Sequence, residues 1–402
     1  MVQASLSHMP SPTTPDLRPG DLVAVTLPPG RDWAGIVGKV WEVGAAMFPV
    51  DHRFPASLSR DLMDRAAPTI FVDADGWHRP GSGRPVGDGV ALVVHTSGTD
   101  GAPKLVQIDR PAIDAAVASS TLALEASPHD RWLCCLPLAH VGGLLVLLRS
   151  ILLGAPVTIH PRFDPEAIAA EADSAFVSLV PTMLVRLLEA HADMSHFRAM
   201  LVGGAAVPAW LTDRARAAGA NVIETYGLTE SCGGVVYEGR PLPGTEVRID
   251  GAGGIQLRGP TVMRGYLDDA EGSAGAFAGD GWLRAGDAGW IDSQGRLRVA
   301  GRLDDLINTG GEKVWPAEVE AVLQGHPGVA EVAVVGRPDP EWGQRVVAFV
   351  VPADPTAPPS LEALRGHVVA SLPRHSAPRQ LVLVPEGLPR TASGKVRRAA
   401  LA

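Results

Sequence analysis

The chain of 402 residues is too long for one ordinary hydrophobic core, so two or more domains are expected. Hydrophobic residues at 46% and charged residues at 20% describe a water-soluble globular protein, and a net charge of -9 argues against a nucleic-acid partner, which would want a basic face. Three cysteines, two of them adjacent at Cys134 and Cys135, make no disulfide framework and fit a reducing cytoplasm.

Residues 1–16 carry neither a basic start nor an apolar core, so no signal peptide is read there. Up to about residue 230, short β-branched runs alternate with amphipathic segments. The pattern predicts a strand over 21–27, a helix over 31–44, and strands over 46–50, 69–72 and 90–95. It continues with a helix over 111–124 and a strand over 132–136. The most apolar stretch, 141–157, is interrupted by Arg149 and by Gly and Pro, so it reads as a buried helix and strand rather than a membrane span. Further strands are expected at 156–159, 176–179, 199–202 and 221–224, with helices over 165–172 and 181–189 between them. Alternating βα units predict an α/β large domain of helix-covered, mostly parallel sheets, with ligands at the carboxyl ends of the strands. From 243 to 299 frequent glycine turns and short strands (246–249, 254–258, 297–299) predict a small antiparallel sheet or barrel closing that domain. The boundary is read at Gly301-Arg302-Leu303-Asp304. The expected division is a large domain over 1–300, a hinge over 301–305 and a small mobile α+β domain over 306–402. The last has helices over 316–323 and 360–371 and strands over 329–336 and 345–351.

The most informative segment is Val93-Val94-His95-Thr96-Ser97-Gly98-Thr99-Asp100-Gly101-Ala102-Pro103-Lys104. Glycines let backbone N–H groups curl around an anion, hydroxyls add donors, and a lysine supplies point charge. Gly101 and Lys104 are not adjacent, so this is not the Walker loop. Alone, such a turn is as often merely a turn. Four more segments follow in order: Tyr226-Gly227-Leu228-Thr229-Glu230, Gly281-Trp282-Leu283-Arg284-Ala285-Gly286-Asp287, Gly301 to Ile307 with Gly310-Gly311-Glu312-Lys313, and Pro389-Arg390-Thr391-Ala392-Ser393-Gly394-Lys395. From about Asp21 onward, this series resembles the adenylate-forming superfamily of acyl-CoA synthetases, adenylation domains and luciferases, although the N-terminal lobe is shorter than members usually carry.

The resemblance implies a two-step reaction using ATP, magnesium and coenzyme A. A carboxylate attacks the α-phosphorus to give an acyl-adenylate, and a thiol then takes the acyl group. Two anions must meet, so positive charge and a metal are needed. By resemblance, Thr96, Ser97, Gly98, Thr99, Gly101 and Lys104 hold the β- and γ-phosphates. Thr229 contacts phosphate, Glu230 ligates magnesium and Tyr226 lies against adenine. Asp287 accepts the ribose hydroxyls with help from Arg302, Asp304 is the hinge, and Gly310 and Gly311 line the CoA thiol channel. Lys395 steadies the carboxylate and α-phosphate, and His140 flanks the acyl carboxylate.

Gly203-Gly204-Ala205 and Ser231-Cys232-Gly233-Gly234 match acyl-pocket walls, and small side chains there leave room for a bulky acid. With Leu136 to Leu144 and the short first lobe, they resemble the o-succinylbenzoate–CoA ligases of menaquinone biosynthesis. A second substrate carboxylate needs a basic partner, for which Arg149 and Arg186 are the candidates. Three readings stay open: another acyl- or aryl-CoA synthetase, a stand-alone adenylation module loading a carrier protein, and a non-catalytic protein keeping the fold. The presence of Lys104, Glu230, Asp287 and Lys395 together argues against the last. The sequence leaves oligomeric state open, a homodimer being one option.

Overall fold

The computed structural model describes residues 16–30, 32–96, 103–390 and 396–401. These fall into two compact units, one holding the chain up to Val207 with Leu211–Glu246 and Leu257–Leu283, the other Pro208–Trp210, Val247–Gln256 and Arg284 onward.

The first unit is built on two seven-stranded sheets. In one, Val90–Thr96, Ala46–Pro49, Leu22–Val25 and Ile70–Asp73 run parallel in that spatial order. Antiparallel strands flank this centre, Lys104–Asp109 and Gly265–Tyr266 on one side and Gly76–His78 on the other. The second sheet orders Val222–Leu228, Ala199–Val202, Ser174–Leu179, Arg131–Cys134 and Val157–Ile159 in parallel, with Gly233–Tyr237 and Arg240–Pro241 antiparallel beyond the first. Strands covered on both faces cannot alternate apolar with polar, which is why they read as unbroken apolar runs. Every residue of Leu22–Val25 and of Ala199–Val202 is buried. Trp33, Phe48, Trp132 and Phe176 are the largest fully buried side chains.

Two local readings are corrected. The strand Val90–Thr96 is followed by no helix. Its antiparallel neighbour is Lys104–Asp109, with Thr96 opposite Lys104. In that neighbour Leu105, Val106 and Ile108 are the buried positions, too irregular a pattern to read as a strand when helix Arg110–Ala123 starts with no intervening loop. Likewise Tyr226-Gly227, an aromatic-glycine pair that reads in the sequence as a turn after the strand, forms none: the strand runs on to Leu228 and pairs with Gly233–Tyr237. A side chain at Gly227 would collide with the Gly233 carbonyl, so the close pairing demands glycine there. Helices Ala56–Ala66 and Ala209–Ala217 also form, although their low hydropathy gave no signal.

In the second unit, Trp282–Ile291 from Arg284 onward pairs antiparallel with Leu297–Arg302. A five-stranded sheet orders Glu312–Val314, Ile307–Thr309, Gly343–Pro352 and Val329–Asp339, with Gln380–Leu383 parallel on Gly343–Pro352. Helices Pro316–Leu323 and Leu361–Val369 contribute Val319, Leu323, Leu364 and Val368 to its core against Val334, Val346 and Val350. This is the α+β texture expected of the C-terminal part.

Candidate active site

Three elements of the first unit bring a cation, a phenol and a carboxylate together. Strand Gly265–Tyr266 lies against Lys104–Asp109, with Tyr266 opposite Val106. That placement sets the Lys104 Nζ 4.8 Å from the Tyr266 ring centroid. The Tyr266 hydroxyl donates to Glu230 Oε1 at 3.0 Å, and Met263 N–H donates to the Glu230 carbonyl at 2.8 Å. The short turn Thr229–Ser231 holding Glu230 is fixed from beneath by the buried Ser231 hydroxyl. It accepts from Leu228 N–H at 3.0 Å and faces the Leu228 and Gly233 carbonyls at 3.1 and 2.9 Å. Cys232 takes a left-handed φ of 55°, which turns the chain back into Gly233–Tyr237. Thr96, Lys104, Thr229 and Glu230 thus lie on adjoining strand ends and turns, while Ser97, Gly98, Thr99 and Gly101 lie outside the described residues. Sequence reasoning missed Tyr266. The chain has only three tyrosines, and that scarcity was the available signal.

His140 precedes helix Val141–Leu153, its carbonyl accepting from Leu144 N–H at 2.9 Å. Its ring lies 5.2 Å from that of His95, tilted by 48°, and Phe54 meets the other side of His95 edge-on at 5.2 Å. Burial, with the neighbouring His140, pushes His95 down to about 4 from an ordinary 6.5, against an opposing pull from Asp51. Burial alone would raise the Asp51 carboxyl, but hydrogen bonds from the Arg53 guanidinium and backbone N–H outweigh it and hold the group below its usual range. Because the folded pKa of His95 lies below its unfolded value, its contribution to stability is complete above about pH 6.5 and drains away as pH falls toward 4. The span corresponds to about 3 kcal/mol. Denaturant titrations at about pH 7 and 4.5 should therefore show His95→Phe losing ~2–3 kcal/mol less than the unmodified chain between the two pH values. An identical loss in both would mean that His95 is protonated in the fold.

The acyl-pocket candidates also sit in the first unit. Gly203 follows strand Ala199–Val202 where a Cβ would lie 2.6 Å from the Thr225 carbonyl oxygen, and Gly204 has φ 78°. Ala205 comes next, before helix Ala209–Ala217. Tyr226 is half-buried on strand Val222–Leu228. Arg149 lies on the helix that His140 heads and is only 4% exposed. Its Nε donates to Ser120 Oγ at 2.9 Å, its guanidinium lies 5.1 Å from the Trp132 ring centroid, and among the described residues no carboxylate pairs with it. Arg186 differs, since it is exposed and borders a cleft of about 290 Å³ together with His52, Arg53 and Arg162.

In the second unit, Asp287 and Arg302 face each other across the hairpin, with Nη1 3.3 Å from Oδ1. Gly286 has φ 71°, and a Cβ there would lie 2.7 Å from Arg302 Nη2, so glycine lets the guanidinium pack over the turn. Asp304 is exposed in the turn Leu303–Asp305, after Gly301 at φ 148°. Gly310 and Gly311 join Ile307–Thr309 to Glu312–Val314, both at positive φ, and Gly310 N–H donates to the Trp342 carbonyl at 2.8 Å. Lys395 lies outside the described residues, although Arg390 and Val396 form a β-bridge on either side of its segment. Arg398 is held by Glu320 at 2.6 Å and by Asp305 at 3.5 Å.

No group of three or more His, Cys, Asp or Glu able to hold a metal occurs among the described residues. Magnesium keeps most of its water and takes one or two carboxylates plus substrate phosphates. A lone Glu230 beside Lys104, with one oxygen occupied by Tyr266, fits that mode of binding.

A family model described as AMP-binding enzyme matches residues 74–267, and one described as AMP-binding enzyme C-terminal domain matches 318–395. A probable 2-succinylbenzoate–CoA ligase of Mycobacterium tuberculosis (strain ATCC 25618 / H37Rv) is 41% identical over 338 residues, covering 79% of this chain and 85% of the relative. The 2-succinylbenzoate–CoA ligase of Listeria monocytogenes serotype 4b (strain F2365) is 36% identical over 326 residues, covering 77% and 68%. The o-succinylbenzoate CoA synthetase of Bacillus subtilis, solved with its acyl-adenylate intermediate, superimposes with a TM-score of 0.86 at 29% identity, covering 96% of this chain and 88% of that one. The same enzyme solved with ATP and magnesium gives 0.85. No helix among the described residues is long and apolar enough to cross a membrane. Motifs, fold and relatives agree, and the chain belongs to the AMP-binding enzyme family, the adenylate-forming superfamily of ligases.

Proposed function

We propose that the chain is an ATP-dependent o-succinylbenzoate–CoA ligase. The succinyl carboxylate attacks the α-phosphorus of ATP, pyrophosphate leaves, and the CoA thiol then displaces AMP from the acyl-adenylate. Lys104 and the hydroxyls from Thr96 onward neutralise and orient the phosphates, which lowers the repulsion between nucleophile and nucleotide. Glu230 would hold magnesium beside them while Thr229 contacts phosphate, and the bound ion would supply further charge neutralisation. Asp287 and Arg302 take the ribose, and Asp304 is the pivot about which the residues after it turn. We place the reaction in the cytoplasm, in keeping with three free, buried thiols.

The observation that carries the substrate assignment is Arg149. A buried cation without a counter-ion is expensive unless an anion arrives to meet it. Arg149 lies on the helix Val141–Leu153 that follows His140, about 13 Å of helix rise farther along. An acid with two carboxylates would react at one beside His140 and offer the other to Arg149. Arg186, exposed to water, has no comparable need of a partner.

Pyrophosphate exchange over a panel of acids, with CoA and carrier protein offered as acceptors, tests this. The expected result is exchange strongest with o-succinylbenzoate and transfer to CoA, with Arg149→Met raising its KM about 10²-fold. Equal exchange with acids lacking the second carboxylate would reject the assignment.

A further inference from the structure

The surroundings of Arg149 are more elaborate than a buried cation requires. Three elements converge on it: helix Arg110–Ala123 brings Ser120, strand Gly233–Tyr237 brings Tyr237, and strand Arg131–Cys134 brings Trp132. Ser120 is fully buried and Tyr237 is 8% exposed. The Ser120 hydroxyl accepts from Arg149 Nε at 2.9 Å and spends its own proton on the Ala116 carbonyl at 2.7 Å or that of Val117 at 3.1 Å. The Tyr237 hydroxyl lies beside Ser120 and Arg149, both of which act on the phenol. Behind these, Trp132 stacks on Phe176 with centroids 4.6 Å apart, giving the guanidinium a rigid aromatic floor.

A guanidinium carries five N–H donors in one plane. With Nε committed to Ser120, one more contact to Tyr237 and the ring beneath, the plane has little freedom left. A carboxylate is bound bidentately only when that fork already points at it. We propose that Ser120 and Tyr237 are specificity-determining positioning residues, which lock the Arg149 fork in the orientation that receives the second carboxylate of the acid. The inference rests on the assignment of a dicarboxylate substrate made above. Burial raises the Tyr237 phenol above its ordinary range, so it remains neutral and leaves the charge of Arg149 for the substrate to answer. The hydroxyls orient the cation without quenching it.

The test compares o-succinylbenzoate with 4-oxo-4-phenylbutanoate, which has the same reacting carboxylate and no aromatic one. The readout is the ratio of kcat/KM for the two acids, which a general loss of folding or of adenylation would not move. Tyr237→Phe and Ser120→Ala should each lower the ratio about tenfold, and Arg149→Met about a hundredfold. Tyr237→Phe keeps the ring and its volume, so it carries the test if Ser120→Ala does not fold. A ratio unmoved by Tyr237→Phe while Arg149→Met collapses it overturns the positioning role and leaves the substrate assignment standing. A ratio unmoved by Arg149→Met removes the assignment and the inference with it.

Discussion

Lys395→Ala is expected to slow acyl-adenylate formation by ~10²–10³, the loss typical of removing one preorganised charge from a transition state. Two negatively charged reactants must approach within bonding distance, and the developing pentavalent phosphorus gathers still more charge on its oxygens. A single ammonium placed there acts on both partners at once. The thioester step starts from an adenylate already formed and has no such anionic encounter. Transfer from chemically supplied acyl-adenylate to CoA should therefore stay within a few-fold of normal. Arg390 and Val396 form a β-bridge on either side of the segment that carries Lys395, and Arg398 is held by Glu320. Pyrophosphate exchange and the transfer assay, run on one preparation, separate the two effects. Equal losses in both would show that Lys395 serves the fold and not the first step.

The second large effect is expected from Glu230→Gln. Glutamine keeps an oxygen to accept from Tyr266 but loses the charge, so the contact at 3.0 Å can persist while the ion site is weakened. Adenylation should fall about 10²-fold and need a much higher magnesium concentration for half-maximal rate. Tyr266 ties this carboxylate to the strand beside Lys104, and the lysine lies over its ring. A loss of activity with no change in magnesium dependence would argue that Glu230 shapes the turn and holds no ion.

The parallel strands were legible because burial on both faces forces an unbroken apolar run, as in Leu22–Val25 and Ala199–Val202. The antiparallel partner of Val90–Thr96 was not legible, since Lys104–Asp109 shows only three buried positions before a helix begins. Tyr266 was missed because its place beside Lys104 and Glu230 depends on pairing with a strand far back in the chain, and its rarity was the one signal of it. His95 read as one more residue of a buried strand, and only the approach of His140 and Phe54 gives it chemical character. Arg149 was visible as a break in the most apolar stretch of the sequence. What gave it meaning was three-dimensional: burial, a hydroxyl and an aromatic ring around it, with no carboxylate partner among the described residues.

The most direct test of the account is a single-turnover experiment with ATP and o-succinylbenzoate, quenched before and after addition of CoA. An acyl-adenylate is expected to accumulate without CoA, at close to one equivalent, and then to be converted to thioester with release of AMP. Release of ADP and phosphate, or thioester formation with no adenylate ever detectable, would contradict it.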